Sequence, residues 1–368
     1  MNVLMVTPHL PPYQAANALL PHVLGLELEK RKHSVSFLSF KTSDPERPHT
    51  AYVKRRTGFR VTKIPQLIEM LETRQRALPL IQAADVVHVH SNTWMNQVAA
   101  GMATAHGKPY VLTHYGTEIW HHDGRNAAFR TLNRNARHVA FYSGALLARA
   151  IELRVPMQAS CVVYPAVDLM FSPLGPPERE AVRAPLVASG EWLLFNVKRL
   201  HPLADHATLL RAFALLDPAL VPARLVIAGS GEERGGLERL ALELGIQGRV
   251  RFLGLVPNHD VAKLHAAADL FVLSSRLEAT PTVVLEALAC GTRVVSTDNP
   301  GGLELGALFP DDLRIVPREN PQALADGIVA SLRENRRISE RTSRVIDERF
   351  SLRGLVDRYC EIYEEAQR

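Results

Sequence analysis

Two doubly wound parallel α/β domains are predicted for this chain of 368 residues, on three observations. Short β-branched runs alternate with longer Ala/Leu-rich stretches over the whole length, the pattern of strand–helix–strand units. The length exceeds what one ordinary core accommodates and suits two of average size. Near the middle, residues 171–185 carry Pro173, Pro176, Pro177 and Pro185. Prolines interrupt ladders and helices, so this stretch reads as an interdomain linker.

In the first half, strands are expected at 3–6, 34–38, 86–89, 110–113 and 138–142. Helical stretches lie between them, such as 18–30, with Leu19, Val23, Leu26 and Lys30 on one stripe. In the second half the expected strands are 193–197, 224–228, 250–253, 270–273, 293–296 and 314–315. The resulting division is a domain of 1–170, a linker of 171–185 and a domain of 186–350. A terminal helical stretch of 351–368 is able to pack back on the first domain. The two sheets would face each other across a cleft, and ligands of such sheets bind beyond the carboxyl ends of strands, so function is expected there.

Composition narrows the class. A content of 46% hydrophobic and 22% charged residues is that of a soluble globular protein. The net charge of +5 comes without any Lys/Arg block interleaved with aromatics, which argues against nucleic acid as the partner. Cys161, Cys290 and Cys360 lie far apart and form no CxxC pair, so neither a disulfide framework nor a structural zinc site is expected and a reducing cytoplasm fits. The start MNVLMVTPHLPP lacks a basic region and a long apolar run and reads as a first strand rather than a signal peptide. No run approaches the roughly 18 apolar residues of a membrane-crossing helix. His121-His122-Asp123 has no partner carboxylates at a recognisable spacing, so no metal site is expected.

The chemistry concentrates between Ser275 and Gly291, which reads SRLEATPTVVLEALACG. A strand ends just before it, a loop carries Glu278, and a helix is expected to open with Thr280 as N-cap and Pro281 at its first position. Gly291 supplies its stop. Glu278 precedes the helix and Glu286 lies about a turn and a half inside it. The amides of Thr282 and Val283, with the helix dipole, form an anion site suited to a diphosphate. A carboxylate on either side of that site can accept hydrogen bonds from neutral hydroxyls, ribose on one side and hexose on the other. Spacing alone fits equally well with two ordinary surface carboxylates around a capped helix.

The segment resembles the E-x7-E motif of retaining glycosyltransferases of family 4, which have the GT-B fold. The family's usual start is Glu-Gly-x-Pro, where this chain has Glu278-Ala279-Thr280-Pro281. The resemblance runs in order along nearly the whole chain. Pro11-Pro12 with Ala15-Ala16-Asn17 resembles the first loop, and Asp85-Val86-Val87-His88-Val89-His90 its D-V-V-H-x-H strand. Thr113-His114-Tyr115-Gly116-Thr117-Glu118 resembles its T-x-H-x-G-x-D stretch. Tyr164-Pro165-Ala166-Val167-Asp168, then Phe171-Ser172-Pro173, resembles its P-G-V-D-x-x-x-F-x-P. Ala228-Gly229-Ser230-Gly231 resembles A-G-x-G, and Val250-Arg251-Phe252-Leu253-Gly254 resembles V-x-F-L-G.

What the resemblance implies is transfer of a sugar from a nucleotide sugar, expected to be a UDP-sugar, with retention and without metal or other cofactor. Arg199 matches the family's diphosphate-binding Arg, and a planar guanidinium suits two phosphate oxygens. With Arg199, the donor set is Lys198, Gly229, Glu278, Ala279, Thr280, Thr282, Val283 and Glu286. The family's usual Lys about six residues on is replaced here by Asp205 and His206. Either Lys198 or His206 supplies the second charge, or the site relies on Arg199 and the helix dipole. The usual Gly-Gly of the first loop is Ala15-Ala16, which suggests less intimate donor contact or a part in the acceptor pocket. His114 matches the family's active-site His, giving a catalytic set of His114, Arg199 and Glu278. His88 and His90 are read as alternating around a strand, so that at most one faces the cleft, and structural roles are expected for both.

For the acceptor, Tyr115, Glu118 and Asp123 join Ala15 and Ala16, since carboxylates and ring faces attract ammonium groups. They point to a small polycationic acceptor such as an aminocyclitol or pseudodisaccharide of aminoglycoside-antibiotic biosynthesis. The alternative is a lipid-linked or anionic acceptor at a membrane surface, from Arg47, Lys54, Arg55, Arg56, Arg60 and Lys63 crowding one segment. A catalytically silent nucleotide-sugar binder is the reading from a different class.

Overall fold

The computed structural model describes residues 1–11, 13, 16–41, 48–55, 64–120 and 123–368, without the side chains of 16, 64–66 and 117. It divides into two compact units, Met1–Pro165 with Arg353–Arg368, and Ala166–Leu352.

The first unit runs β1 (Asn2–Val6), α1 (Ala16–Lys30), β2 (Ser34–Phe40), β3 (Thr50–Val53), α2 (Ile64–Ala83), β4 (Val86–His90), α3 (Trp94–Ala105) and β5 (Tyr110–His114). It continues with α4 (Thr117–Trp120), α5 (Ala127–Asn135), β6 (His138–Phe141), α6 (Gly144–Glu152) and β7 (Ser160–Val162). The sheet is parallel, in the order β3-β2-β1-β4-β5-β6-β7. Its inner strand β1 is apolar without alternation, as suits a strand covered on both faces: Val3, Leu4, Met5 and Val6 are all buried.

The second unit runs α7 (Pro176–Arg183), β8 (Trp192–Val197), α8 (His206–Ala214), β9 (Ala223–Ala228), α9 (Arg234–Glu243), β10 (Val250–Gly254), α10 (Asn258–Ala267) and β11 (Leu270–Leu273). After these come α11 (Thr282–Ala289), β12 (Arg293–Thr297), α12 (Pro300–Leu308), β13 (Leu313–Val316), α13 (Pro321–Arg333) and α14 (Glu340–Arg349). Its parallel sheet has the order β10-β9-β8-β11-β12-β13, so the winding reverses between β8 and β11. At that switch point the loops leaving the two strands turn to opposite faces and open a crevice.

Every strand expected from the sequence is present, within one or two residues at its ends. The two that were not expected, β3 and β7, are short edge strands. The buried stripe of α1 is Leu20, Leu24 and Leu28, whereas Leu19 and Leu26 are exposed; the helix is rotated from the expected face. Within the Pro-rich stretch 171–185, residues 176–183 form α7 in the second unit, because Pro176 and Pro177 fall in the first turn, where a missing N–H costs nothing. Arg179 and Arg183 of α7 both grip the Asp269 carboxylate, at 2.6 and 2.8 Å.

The last helix, α15 (Leu352–Gln367), lies almost wholly within the first unit. The Tyr363 hydroxyl shares a hydrogen bond with His88 Nδ1 at 2.7 Å, and Tyr359 lies 3.1 Å from the Thr113 hydroxyl. His88 Nε2 completes its own set on Thr113 at 2.8 Å. The expected opposition of His88 and His90 is overturned. Residues two apart on a strand share a face, and the two rings lie 3.8 Å apart, both fully buried. Burial pushes His88 down to about 3, so it is neutral and a hydrogen-bonding group only.

Replacing Tyr363 with Phe removes the hydroxyl and strands a buried ring nitrogen. The expected loss is about 1–3 kcal/mol, read as a lower urea midpoint for the intact chain; an unchanged midpoint would contradict the role given to this pair.

Candidate functional site

The crevice of the second unit is assembled by backbone in direct contact with backbone. Gly229 has φ +133°, and a Cβ there would sit 2.0 Å from the Lys198 carbonyl oxygen; one on Gly231 would sit 2.1 Å from that of Leu200. The resulting loops are zipped by Lys198 N–H to Ala228 O at 3.1 Å and Leu200 N–H to Ser230 O at 3.0 Å. Gly301 does the same one strand over. Its N–H donates to the Glu278 carbonyl at 3.0 Å, and a Cβ would meet Ala279 O at 2.7 Å.

These contacts set out the predicted donor residues. Arg199 leaves the end of β8 with a largely exposed guanidinium, whose nearest carboxylate is Glu232 at 3.6 Å. Such a surface contact is weak and easily exchanged for another anion. Lys198 turns the other way and places Nζ 2.7 Å from Glu278 Oε1. His206 is not a second cation: burial pushes it down to about 4, and its Nε2 pairs with Asn196 Oδ1 at 3.0 Å. Asp205 is not at the ligand either. It sits at φ 48° as N-cap of α8, accepting from Thr208 N–H and hydroxyl at 3.3 and 2.8 Å, with Arg276 at 3.3 Å. Of the two side chains considered for the missing charge, only Lys198 carries one.

α11 begins one residue later than the sequence suggests. Pro281, in an extended conformation, is the N-cap, Thr282 is the first helical residue, and no side chain caps the end. Thr280 precedes that boundary and lies outside the helix. The amides at Thr282 and Val283 lie in the first turn of α11, where an α-helix has no internal acceptor for them. One turn on, burial pushes Glu286 up to about 7, moderated by the Thr282 hydroxyl and Lys198 and reinforced by Asp168. A cavity of about 600 Å³ joins Lys198, Arg199, Gly229, Val283 and Glu286 along its wall. A larger one of about 940 Å³ lies between residues 167–180 and α14 and touches none of the donor residues.

On the first unit, the His114 ring is enclosed. As the last residue of β5 it points into the interior, fully buried against Phe129 and Phe141, with Nε2 on Asn133 Oδ1 at 2.8 Å. The Tyr115 hydroxyl is held by His90 Nδ1 at 2.7 Å. Glu118 accepts from the amides of Tyr115 and Gly116 at 2.7 and 3.2 Å. Burial alone would raise its pKa; His114 and those amides hold it below the ordinary range. Both of its oxygens are thus engaged in organising the loop. Asp123 is exposed and accepts from Arg125 N–H at 2.9 Å. Ala15, His121 and His122 lie outside the described residues, as does the side chain of Ala16. So do Arg47, Arg56, Arg60 and Lys63; Lys54 and Arg55 are exposed. Sequence reasoning missed Gly301, flagged only by the Pro-Gly-Gly after β12, and His265, for which no local signal exists.

Comparison with known proteins places the chain in a family. Residues 22–171 match the Glycosyltransferase Family 4 model and residues 178–347 the model described as Glycosyl transferases group 1. Together these matches cover most of the chain, and it belongs to the glycosyltransferases, transferase enzymes here with the GT-B fold. A D-inositol 3-phosphate glycosyltransferase of Saccharomonospora viridis is 36% identical over 216 residues, which is 55% of this chain and 49% of that protein. The match thus spans about half the length of that relative. An uncharacterized glycosyltransferase of Methanocaldococcus jannaschii is 28% identical over 358 residues, 89% of this chain and 88% of the relative. Among solved structures, Anabaena HepE in complex with UDP superposes with a TM-score of 0.80 at 19% identity, covering 99% of this chain and 100% of that one.

Gly229→Ala and Gly231→Ala each force carbonyl and methyl together and are expected to cost about 1–3 kcal/mol or more. Gly248→Ala, where nothing lies within 4 Å of the new methyl, is the matched control. Thermal denaturation separates them; equal melting points for all three would refute the close-contact account.

Proposed function

We propose that this enzyme moves a sugar, with retention, from a UDP-sugar to a hydroxyl of a small cyclitol-type acceptor. The observation that carries the donor half is the meeting of Arg199, Lys198 and the uncapped start of α11 at one crevice with Glu278 and Glu286. Two cations and helix amides suit a diphosphate, while two carboxylates beside it suit hydroxyls. In the step itself the bond from the anomeric carbon to the diphosphate oxygen breaks as the acceptor oxygen bonds from the same face. The acceptor proton passes to the departing diphosphate. Arg199, Lys198 and the amides of Thr282 and Val283 stabilise the growing charge, so no metal ion is required. HepE has been solved with UDP and with UDP-glucose, which supports uridine as the base.

The acceptor is assigned by class. Relatives named for D-inositol 3-phosphate support a cyclitol. Amino-substituted cyclitols and pseudodisaccharides of aminoglycoside assembly belong to the same class and make up the proposed biosynthetic setting, in the cytoplasm. Since Glu118 and Tyr115 are engaged within their own loop, acceptor ammonium groups are left with Asp123 as the exposed carboxylate of that set.

A membrane-surface acceptor is the second reading, and α2 favours it. Leu67, Ile68 and Leu71 are exposed while Glu69 and Thr73 are buried, an inverted amphipathic face beside the exposed Lys54 and Arg55.

UDP and UDP-sugars are expected to raise the melting temperature, with Arg199→Ala and Glu286→Gln each weakening binding at least about tenfold. Donor turnover should persist in EDTA, and NMR of the product should show the donor's anomeric configuration. Absence of any shift across the nucleotide-sugar panel would sink the donor assignment; binding without turnover or slow hydrolysis would leave a silent binder. Pelleting with anionic vesicles at low salt, lost in Leu67→Glu/Leu71→Glu, would select the membrane reading over the soluble one.

A further inference from the structure

His265 on α10 is fully buried, and among the described residues neither of its ring nitrogens has a hydrogen-bond partner. It stands in an aromatic cage, with ring centroids 4.8 Å from Phe271, 5.0 Å from Phe195 and 6.1 Å from Phe171. A buried polar ring left unsatisfied is costly and needs a reason. A cage of three phenyl groups is better filled by a fourth. The nearest polar atom of opposite character is Glu286 Oε2, 3.9 Å from His265 Nε2. That is beyond a hydrogen bond, but the Glu286 side chain retains 19% of its exposure and has freedom to move on the cavity wall.

We propose that His265 is a positioning residue for Glu286: its Nε2–H waits in the cage to hold the Glu286 carboxylate in the ionised form and in the orientation that receives the donor's ribose. The proposal rests on the donor reading above. On the crevice wall the Glu286 side chain is poorly solvated, and burial pushes its pKa up to about 7. The other groups facing it are Lys198 from the end of β8, which favours the charge, and Asp168, which opposes it. On its own helix are the Thr282 hydroxyl, which favours the charge, and the buried Cys290 thiol. A carboxylate accepts at both oxygens and more strongly, so the two ribose hydroxyls can each donate to one of them, whereas the acid form keeps only its carbonyl oxygen as a good acceptor. Donor binding therefore selects the ionised form, and the proton released goes to solvent. The imidazole, kept neutral by burial that pushes it down to about 3, acts as a fixed donor and takes up no proton.

UDP-glucose is the probe, because its diphosphate diester has no titration near neutrality. Its affinity for the wild-type enzyme is expected to rise about tenfold per pH unit below 7 and to level off above, with Glu286→Gln flat. Changing His265 to Phe, which completes the cage, should move the midpoint upward by about one pH unit or more, the size of a charge-assisted hydrogen bond lost to a buried carboxylate. His265→Gln, which keeps a donor, should return it toward wild type. The same shift should appear with no ligand, in the ¹³C titration of the Glu286 carboxyl, assigned by its absence in Glu286→Gln. ¹⁵N NMR of the wild-type imidazole needs no variant and should show the proton on Nε2. A proton found on Nδ1, or a His265→Phe profile that overlays wild type, overturns the proposal while leaving the donor reading intact. UDP-glucose that fails to bind at any pH, with the empty-site titration still as described, overturns the donor reading instead.

Discussion

The closeness of backbone to backbone at the carboxyl ends of β8, β9, β11 and β12 is the constraint on which the rest of the site depends. A side chain of even one carbon at Gly229, Gly231 or Gly301 would collide with a carbonyl oxygen. Without those glycines the loops after the strands would splay, and Lys198, Arg199 and Glu278 would lose their common origin. The side chains that do the chemistry are long and flexible; what is rigid is the set of points from which they start. Doubly wound topology supplies the crevice, and the glycines determine how narrow it is.

Charge is arranged within that frame so that each group has a different partner. Lys198 pairs with Glu278, Arg199 faces solvent, and Glu286 lies largely buried on the cavity wall. An arriving diphosphate competes with a single carboxylate for Lys198 and with almost nothing for Arg199. On the proposed donor reading, a site with Asp205 and His206 in place of a downstream lysine keeps two cations for phosphate, Lys198 being shared with the carboxylate expected to meet the transferred sugar. Loss of Lys198 would on this arrangement disturb sugar and phosphate together.

Strand positions were legible because buried parallel strands are apolar on both faces, and runs such as 193–197 and 270–273 admit no other reading. Thr50–Val53 and Ser160–Val162 escaped because edge strands need neither length nor apolarity on both faces. The stretch 171–185 was misread for a different reason. Proline breaks helices in their interior but starts them well, and only the docking of Arg179 and Arg183 on Asp269 reveals which case applies. For His114 the strand was recognised, but whether its last side chain points inward or outward depends on where the sheet's helices lie. His265 was beyond reach altogether. Its meaning lies in a distance across two helices, and no local pattern encodes that.

The start of α11 shows the same separation between fold and function. Fold stability alone would favour Ser, Thr or Asp at the cap, satisfying one orphan amide for about 1 kcal/mol. Pro281 offers no such group, and Glu286, with a pKa raised to about 7, disfavours the folded state as pH rises from about 4.5 through 7. By linkage this amounts to roughly 2–3 kcal/mol at neutral pH. An uncapped helix end and a poorly solvated carboxylate on one short helix have no structural purpose in common. Both do have a purpose if a ligand supplies what is missing, an anion for the amides and hydroxyls for the carboxylate. On the proposed donor reading, these two features lie where the two halves of a nucleoside diphosphate would meet them.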